Sequence, residues 1–153
     1  MAGVHYLVDT NVLLRLVKSN DPEFPLARSA THALKARGDS LFFLPQNIVE
    51  FWNVCTRPAR QNGYGLSPEE ADERAQRVER AFTLLLDNEL IHAQWRRIVV
   101  AYSVSGAQVH DARLVAAMYV HGVTHVLTFN DRDFTRYAGI TVAHPGSILP
   151  HPP

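Results

Sequence analysis

Short apolar runs rich in β-favouring residues alternate with stretches of helical spacing along almost the whole chain. That alternation restricts the fold more than any other feature of the sequence. Val4–Val8 (VHYLV) reads as a buried strand that ends at Asp9 and is followed by the helical pattern VLLRLVK. Phe24 to Arg37 has helix-compatible spacing, with Gly38 placed as a stop, and Leu41–Leu44 (LFFL) is a second strand closed by Pro45. Asn47 to Thr56 is helical, and Pro58 ends it by disfavouring helical geometry at Arg57. Ser67-Pro68-Glu69-Glu70 opens a helix expected to run to about Leu86, with Ser67 as N-cap and Glu70 completing a capping box. Leu90–His92 reads as a brief strand, then Ala93 to Val104 and His110–Val120 as helices, with the strands Val123–Thr128 and Gly139–Ala143 closing the pattern. Strands that alternate with helices predict an α/β layered fold on a mostly parallel sheet. Residues 145–153 read as a tail with few ordering features.

The chain of 153 residues has the size of one domain, with its core expected between about residues 4 and 143. A single cysteine, Cys55, excludes an internal disulfide and a cysteine-rich zinc site. No apolar run approaches the roughly 20 residues that cross a bilayer, so the sequence predicts a soluble, cytoplasmic protein without a membrane partner. Fifteen basic residues balance fifteen acidic ones, which excludes nucleic-acid binding by bulk positive charge. It leaves open a nuclease in which metal ions supply the local charge.

The acidic residues fall where a site would form. Asp9 directly follows a strand, and ligands of open α/β sheets gather beyond the carboxyl ends of the strands. Glu50 lies inside the apolar stretch Ile48-Val49-Glu50-Phe51-Trp52, Asp111 opens a helix, and Asp131 and Asp133 lie just beyond the strand ending at Thr128. Each has a simpler use. Asp9 can cap the first helix, Asp111 can serve a helix dipole, Asp133 can cap the following turn, and Glu50 can face Arg57 or Arg60. A parallel sheet would nevertheless bring these carboxylates toward one edge, where they repel unless a cation joins them. An all-oxygen donor set favours Mg²⁺ or Mn²⁺, and the histidines form no H-E-x-x-H pattern of a zinc hydrolase. His110, beside Asp111, reads as a neighbour facing elsewhere.

In order along the chain, Leu7-Val8-Asp9-Thr10-Asn11-Val12-Leu13-Leu14, Asn47-Ile48-Val49-Glu50, His110-Asp111-Ala112 and Leu127-Thr128-Phe129-Asn130 through Asp133-Phe134 resemble the motifs of PIN domains, with the spacing of VapC-type toxins. The resemblance implies a three-layer α/β/α sandwich with a central parallel sheet. It also implies a Mg²⁺- or Mn²⁺-dependent endoribonuclease acting on RNA and usually paired with an antitoxin. By position, Asp9, Glu50 and Asp111 match the family's three acids. For the fourth, Asn130 stands where Asp is frequent, and Asp133 is preferred over Asp131 as its substitute. Thr10, Asn11 and Thr128 match the polar residues that support the acids, with Asn130 beside them. Arg57, Arg60 and Arg113 are candidates for phosphate contacts. A homodimer or an antitoxin contact is expected, with Trp52, Tyr64, Phe82 and Trp95 as anchors, although core positions explain Trp52 and Phe82 more simply. Two other functions compete: a PIN-like domain that binds RNA or a partner without cutting, and a phosphatase with Asp9 as nucleophile. The second usually has another Asp two positions on, where this chain has Asn11.

Overall fold

The computed structural model describes residues 3–150. Five parallel strands, β1 (His5–Val8), β2 (Ser40–Phe43), β3 (Thr83–Leu84), β4 (His125–Leu127) and β5 (Thr141–Ala143), form one sheet in the order β3-β2-β1-β4-β5. Parallel neighbours need long crossovers. Helices supply most of that length: α1 (Thr10–Leu16), α2 (Phe24–Ala36), α3 (Pro45–Thr56), α4 (Pro68–Ala81), α5 (Leu90–Ala101) and α6 (Gln108–His121).

Alternation along the strands sorts the core into two layers. Tyr6 and Val8 of β1 pack with Val12, Leu13, Leu34, Phe43, Phe51 and Val78 on one face. Leu7 and Val126 point the other way, to Ile91, Ile98, Leu114 and Met118 of α5 and α6. The α/β/α sandwich expected from the sequence is therefore the fold. Trp52, Tyr64 and Phe82 belong to the first layer and Trp95 to the second, where its indole N–H donates to Val109 O at 2.9 Å. Phe82 is buried in the core, as its simpler reading expected, while Trp52, Tyr64 and Trp95 are half-buried and pack against it.

The fold differs from the sequence reading in three places. The helix opened by Ser67 has its capping box, with Ser67 Oγ accepting from Glu70 N and Glu70 Oε1 from Ser67 N. It stops at Ala81 rather than about Leu86, because Thr83 and Leu84 turn extended and pair with Phe42 and Phe43 as the edge strand β3. Leu90–His92, expected as a strand, is the first turn of α5, whose Leu90 N is capped by Asn88 Oδ1. The segment after β5 is also more ordered than expected. Pro145–Ser147 forms a 3-10 turn against α2, Pro145 is buried, and Ile148 packs on the first layer. Residues 151–153 of the expected tail lie outside the described residues.

The strand order places the chain reversal at β1. From β1 the chain moves outward through β2 and β3, then returns to lay β4 on the other side of β1. A crevice opens at the carboxyl ends where crossovers leave in opposite directions, and here that point lies between Val8 and Leu127, which are paired across the ladder.

Candidate active site

Asp9 is the residue after β1 and caps α1. It is 6% exposed, and its backbone N–H donates to Leu127 O at 3.0 Å across the crevice. Its Oδ1 accepts from Thr10 N at 2.8 Å, so the expected capping role is real. Its Oδ2 accepts from Thr128 Oγ1 at 2.8 Å and from Asn11 Nδ2 at 3.3 Å. Thr128 uses its full capacity of one donor and two acceptor sites, because its hydroxyl oxygen also receives Asn11 Nδ2 at 3.2 Å and Asn130 N at 2.9 Å. Asn11 Oδ1 in turn accepts from Phe129 N at 3.1 Å and ties the loop after β4 to α1.

Glu50 comes from α3. Its Oε2 accepts from Thr10 Oγ1 at 2.9 Å and its Oε1 from Gln46 Nε2, one turn earlier, at 2.9 Å. The Thr10 hydroxyl is itself aimed by Asn47 Nδ2 at 3.1 Å, while Asn47 Oδ1 caps the start of α3 at Leu44 N, 2.8 Å away. Asn47 is completely buried. Asp111 stands in the first turn of α6. Neither its carboxylate nor that of Asp133 has a hydrogen-bond donor among the described residues.

Asp9, Glu50, Asp111 and Asp133 line one depression of about 260 Å³, together with Thr10, Asn11, Leu14, Asn53, Val54 and Asn130. Among the described residues, none of the four acids is paired with an arginine, lysine or histidine. The alternative that Glu50 faces Arg57 or Arg60 is therefore not what the fold makes. Burial pushes the Asp9 carboxyl up to about 6 against the pull of its Thr128 and Thr10 donors, and Glu50 and Asp133 add repulsion. Burial, with the charges of Asp9, Asp133 and Glu50 adding to it, raises Asp111 to about 7. The acids thus feel one another's charge, as expected of carboxylates gathered at one sheet edge.

The remaining predicted residues are distributed around this depression. Asn130 lines it, and Asp131 is exposed on the neighbouring surface formed by Phe129 to Asp133. His110 is exposed and contributes its carbonyl, not its ring, to the site's bonding. Arg57 bonds to Asn62 O and Arg60 is exposed, and neither lines the depression. Arg113 does not line it either, but its guanidinium meets Gln46 Oε1 at 3.3 Å and Asp87 at 3.5 Å. Gln46 and Asn47 are supports that sequence reasoning missed. Gln46 could have been found from its place four residues before Glu50 on the same helix face, and Asn47 from its place at the third position of a helix that Pro45 opens.

The chemistry of the site suits a divalent cation. Among the described residues every donor to the acids is a neutral hydroxyl, amide or backbone N–H, so no cationic side chain compensates their charge. Among the described residues, no group of three or more His, Cys, Asp or Glu is placed to hold an ion directly. Mg²⁺ usually keeps several waters and takes only one or two protein carboxylates, so an open depression lined by carboxylates fits it without a closed cage.

The family model of the PIN domain matches residues 6–140. The chain belongs to the PIN domain family. No curated protein matches its sequence, but solved structures share its fold. A chain of VapBC2 from Rickettsia felis, bound to a DNA fragment from its promoter, is 9% identical with a TM-score of 0.70, covering 92% of this chain and 98% of that one. VapBC-1 from nontypeable Haemophilus influenzae is 14% identical with a TM-score of 0.68, covering 94% and 100%. VapC20 of Mycobacterium tuberculosis, described as a Sarcin-Ricin loop cleaving toxin, is 16% identical with a TM-score of 0.55, covering 79% and 86%. At these identities the likeness is one of fold, and this PIN domain must be read from its own residues. No helix among the described residues is long and apolar enough to cross a membrane.

Proposed function

We propose that this PIN domain is a Mg²⁺- or Mn²⁺-dependent endoribonuclease of VapC type, the toxin of a pair whose antitoxin covers the acidic depression. The observation that carries this reading is the set of four carboxylates sharing one depression, at the sheet's reversal point, with no cationic side chain among the described residues paired to any of them. The naming of VapBC complexes and of an RNA-cleaving VapC among the structural relatives supports the substrate class and the partner.

Asp9 and Asp111 would hold the ion, with Asp133 as a further carboxylate of the same depression and Glu50 engaged through water. A bound divalent ion supplies charge neutralisation at the scissile phosphate and a water of lowered pKa. Thr128 and Thr10 N–H fix the rotamer of Asp9, and Asn11 ties Asp9 to the loop after β4. Thr10 and Gln46 hold Glu50 facing the depression, where it can accept a proton from the attacking water. The depression is open, so it admits a phosphodiester of single-stranded or looped RNA, whose backbone is accessible. Arg113, joined to Glu50 through Gln46, is the predicted arginine nearest this network and the best placed to meet phosphate.

The test is cleavage of a labelled single-stranded RNA by the purified protein with Mg²⁺, with Mn²⁺ and with EDTA. Cleavage should require the metal and be lost in Asp111→Asn. Equal cleavage in EDTA, or undiminished cleavage in Asp111→Asn, would refute the assignment. A second reading, a PIN domain that binds RNA or a partner without cutting, draws on the lack of a ready-made three-acid ligand set among the described residues. It predicts binding that survives both EDTA and Asp9→Asn.

A further inference from the structure

Gln46 joins the two helices that carry Glu50 and Asp111. Its amide nitrogen has two hydrogens and uses both, donating to Glu50 Oε1 at 2.9 Å and to His110 O at 2.7 Å. The first of these bonds stays within α3. The second crosses to the opening turn of α6, at the residue before Asp111. The amide oxygen accepts from Arg113 Nη1 at 3.3 Å, and Asp87 holds the same guanidinium from its far side at 3.5 Å.

We propose that Gln46 is a positioning residue that sets the separation and the charge of the Glu50–Asp111 pair. This rests on the metal-dependent reading above. Glu50 has one oxygen bound by Thr10 and the other by Gln46, so loss of Gln46 frees the carboxylate to swing out of the depression. The neutrality of glutamine matters as much as its reach. A lysine or arginine at this position would pair with Glu50 and compete with a divalent cation. The glutamine restrains the acid while leaving its charge in place. Its carbonyl, with Asp87, also keeps the Arg113 cation engaged away from the carboxylates. Polar groups that orient metal-holding side chains typically change metal affinity by roughly 10–100-fold when removed.

The experiment is Mn²⁺ binding to the full chain, followed by electron paramagnetic resonance of the free ion, in wild type, Gln46→Met and Arg113→Met. Gln46→Met keeps the length of the side chain and removes both donors. Arg113→Met removes the cation and leaves both donors. The Mn²⁺ dissociation constant should rise roughly tenfold in Gln46→Met and stay within about twofold in Arg113→Met. RNA cleavage by Gln46→Met should recover as Mn²⁺ is raised. If Gln46→Met does not fold, Gln46→Asn, one methylene too short to serve both acceptors, should show the same weakening. Unchanged Mn²⁺ affinity in the folded variant, or equal weakening in Arg113→Met, would overturn the proposal. Absence of Mn²⁺ binding by the wild type would overturn it together with the metal-dependent function, whereas wild-type binding with no effect of Gln46 would overturn this inference alone.

Discussion

Replacing Asp9 with asparagine separates the two uses of this residue, because asparagine caps a helix as well as aspartate does. The Asp9 carboxyl is raised from 3.8 to about 6, chiefly by burial. A carboxyl raised in the folded state binds its proton more tightly there than in the unfolded chain. Its ionisation therefore lowers stability as pH climbs from about 4 to about 6, and the full cost is present above that range. The rise corresponds to about 3 kcal/mol, and at 6% exposure little of it is lost to solvent screening. The substituted amide would keep one oxygen for the Thr10 N–H, but its N–H₂ would take the place of Oδ2 and face the donors of both Thr128 and Asn11, which costs about 2 kcal/mol. Asp9→Asn should thus be more stable than wild type by about 1 kcal/mol at pH 8, or roughly 2–4 °C in Tm for a domain of this size. The advantage should vanish near pH 4. Urea unfolding at pH 4, 6 and 8 in metal-free buffer measures this directly. A variant less stable at pH 8, with the wild-type pH slope intact, would show that the charge stabilises the fold and that the reasoning about the pocket is wrong.

Other outcomes follow from the same geometry. Mn²⁺ should stabilise the wild type by about 2.7 kcal/mol at a hundred times its dissociation constant, and less at pH 5 than at pH 8, because Asp9 and Asp111 hold protons at the lower pH; thermal scans with and without the ion check this. Thr128→Val removes one donor and two acceptor sites from a fully buried hydroxyl and should cost about 1–3 kcal/mol in urea unfolding, with Thr128→Ser close to wild type. Truncation after Ala143 exposes the surface covered by Pro145 and Ile148, and a lower Tm than the full chain is expected in a thermal scan.

Much of the site is legible in the sequence because its acids sit at positions tied to local pattern. Asp9 ends an apolar strand, Asp111 opens a helix, and Glu50 interrupts an apolar helical face. Their neighbours Thr10, Asn11 and Thr128 can be named from the motifs around them. Gln46 is harder to see because its partners are a carboxylate on its own helix and a main-chain carbonyl 64 residues away, and no residue type announces a bond to a carbonyl. The edge strand β3 escapes because Phe82 to Leu86 continues the apolar content of the preceding helix, and only pairing with Phe42 and Phe43 decides its conformation. Strand order is set by non-local pairing. It is also what brings Thr128 beside Asp9, so the motif points to this hydroxyl while periodicity alone does not reach it.

The bond between Thr128 and Asp9 spans 119 positions of the chain. During synthesis Asp9 emerges well before the strand that must lie beside it. A nascent chain therefore carries an unfinished centre with its middle strand unflanked on one side, and contacts this distant in sequence are among the slowest to form. The acidic crevice of this PIN domain is thus completed only when β4 docks beside β1.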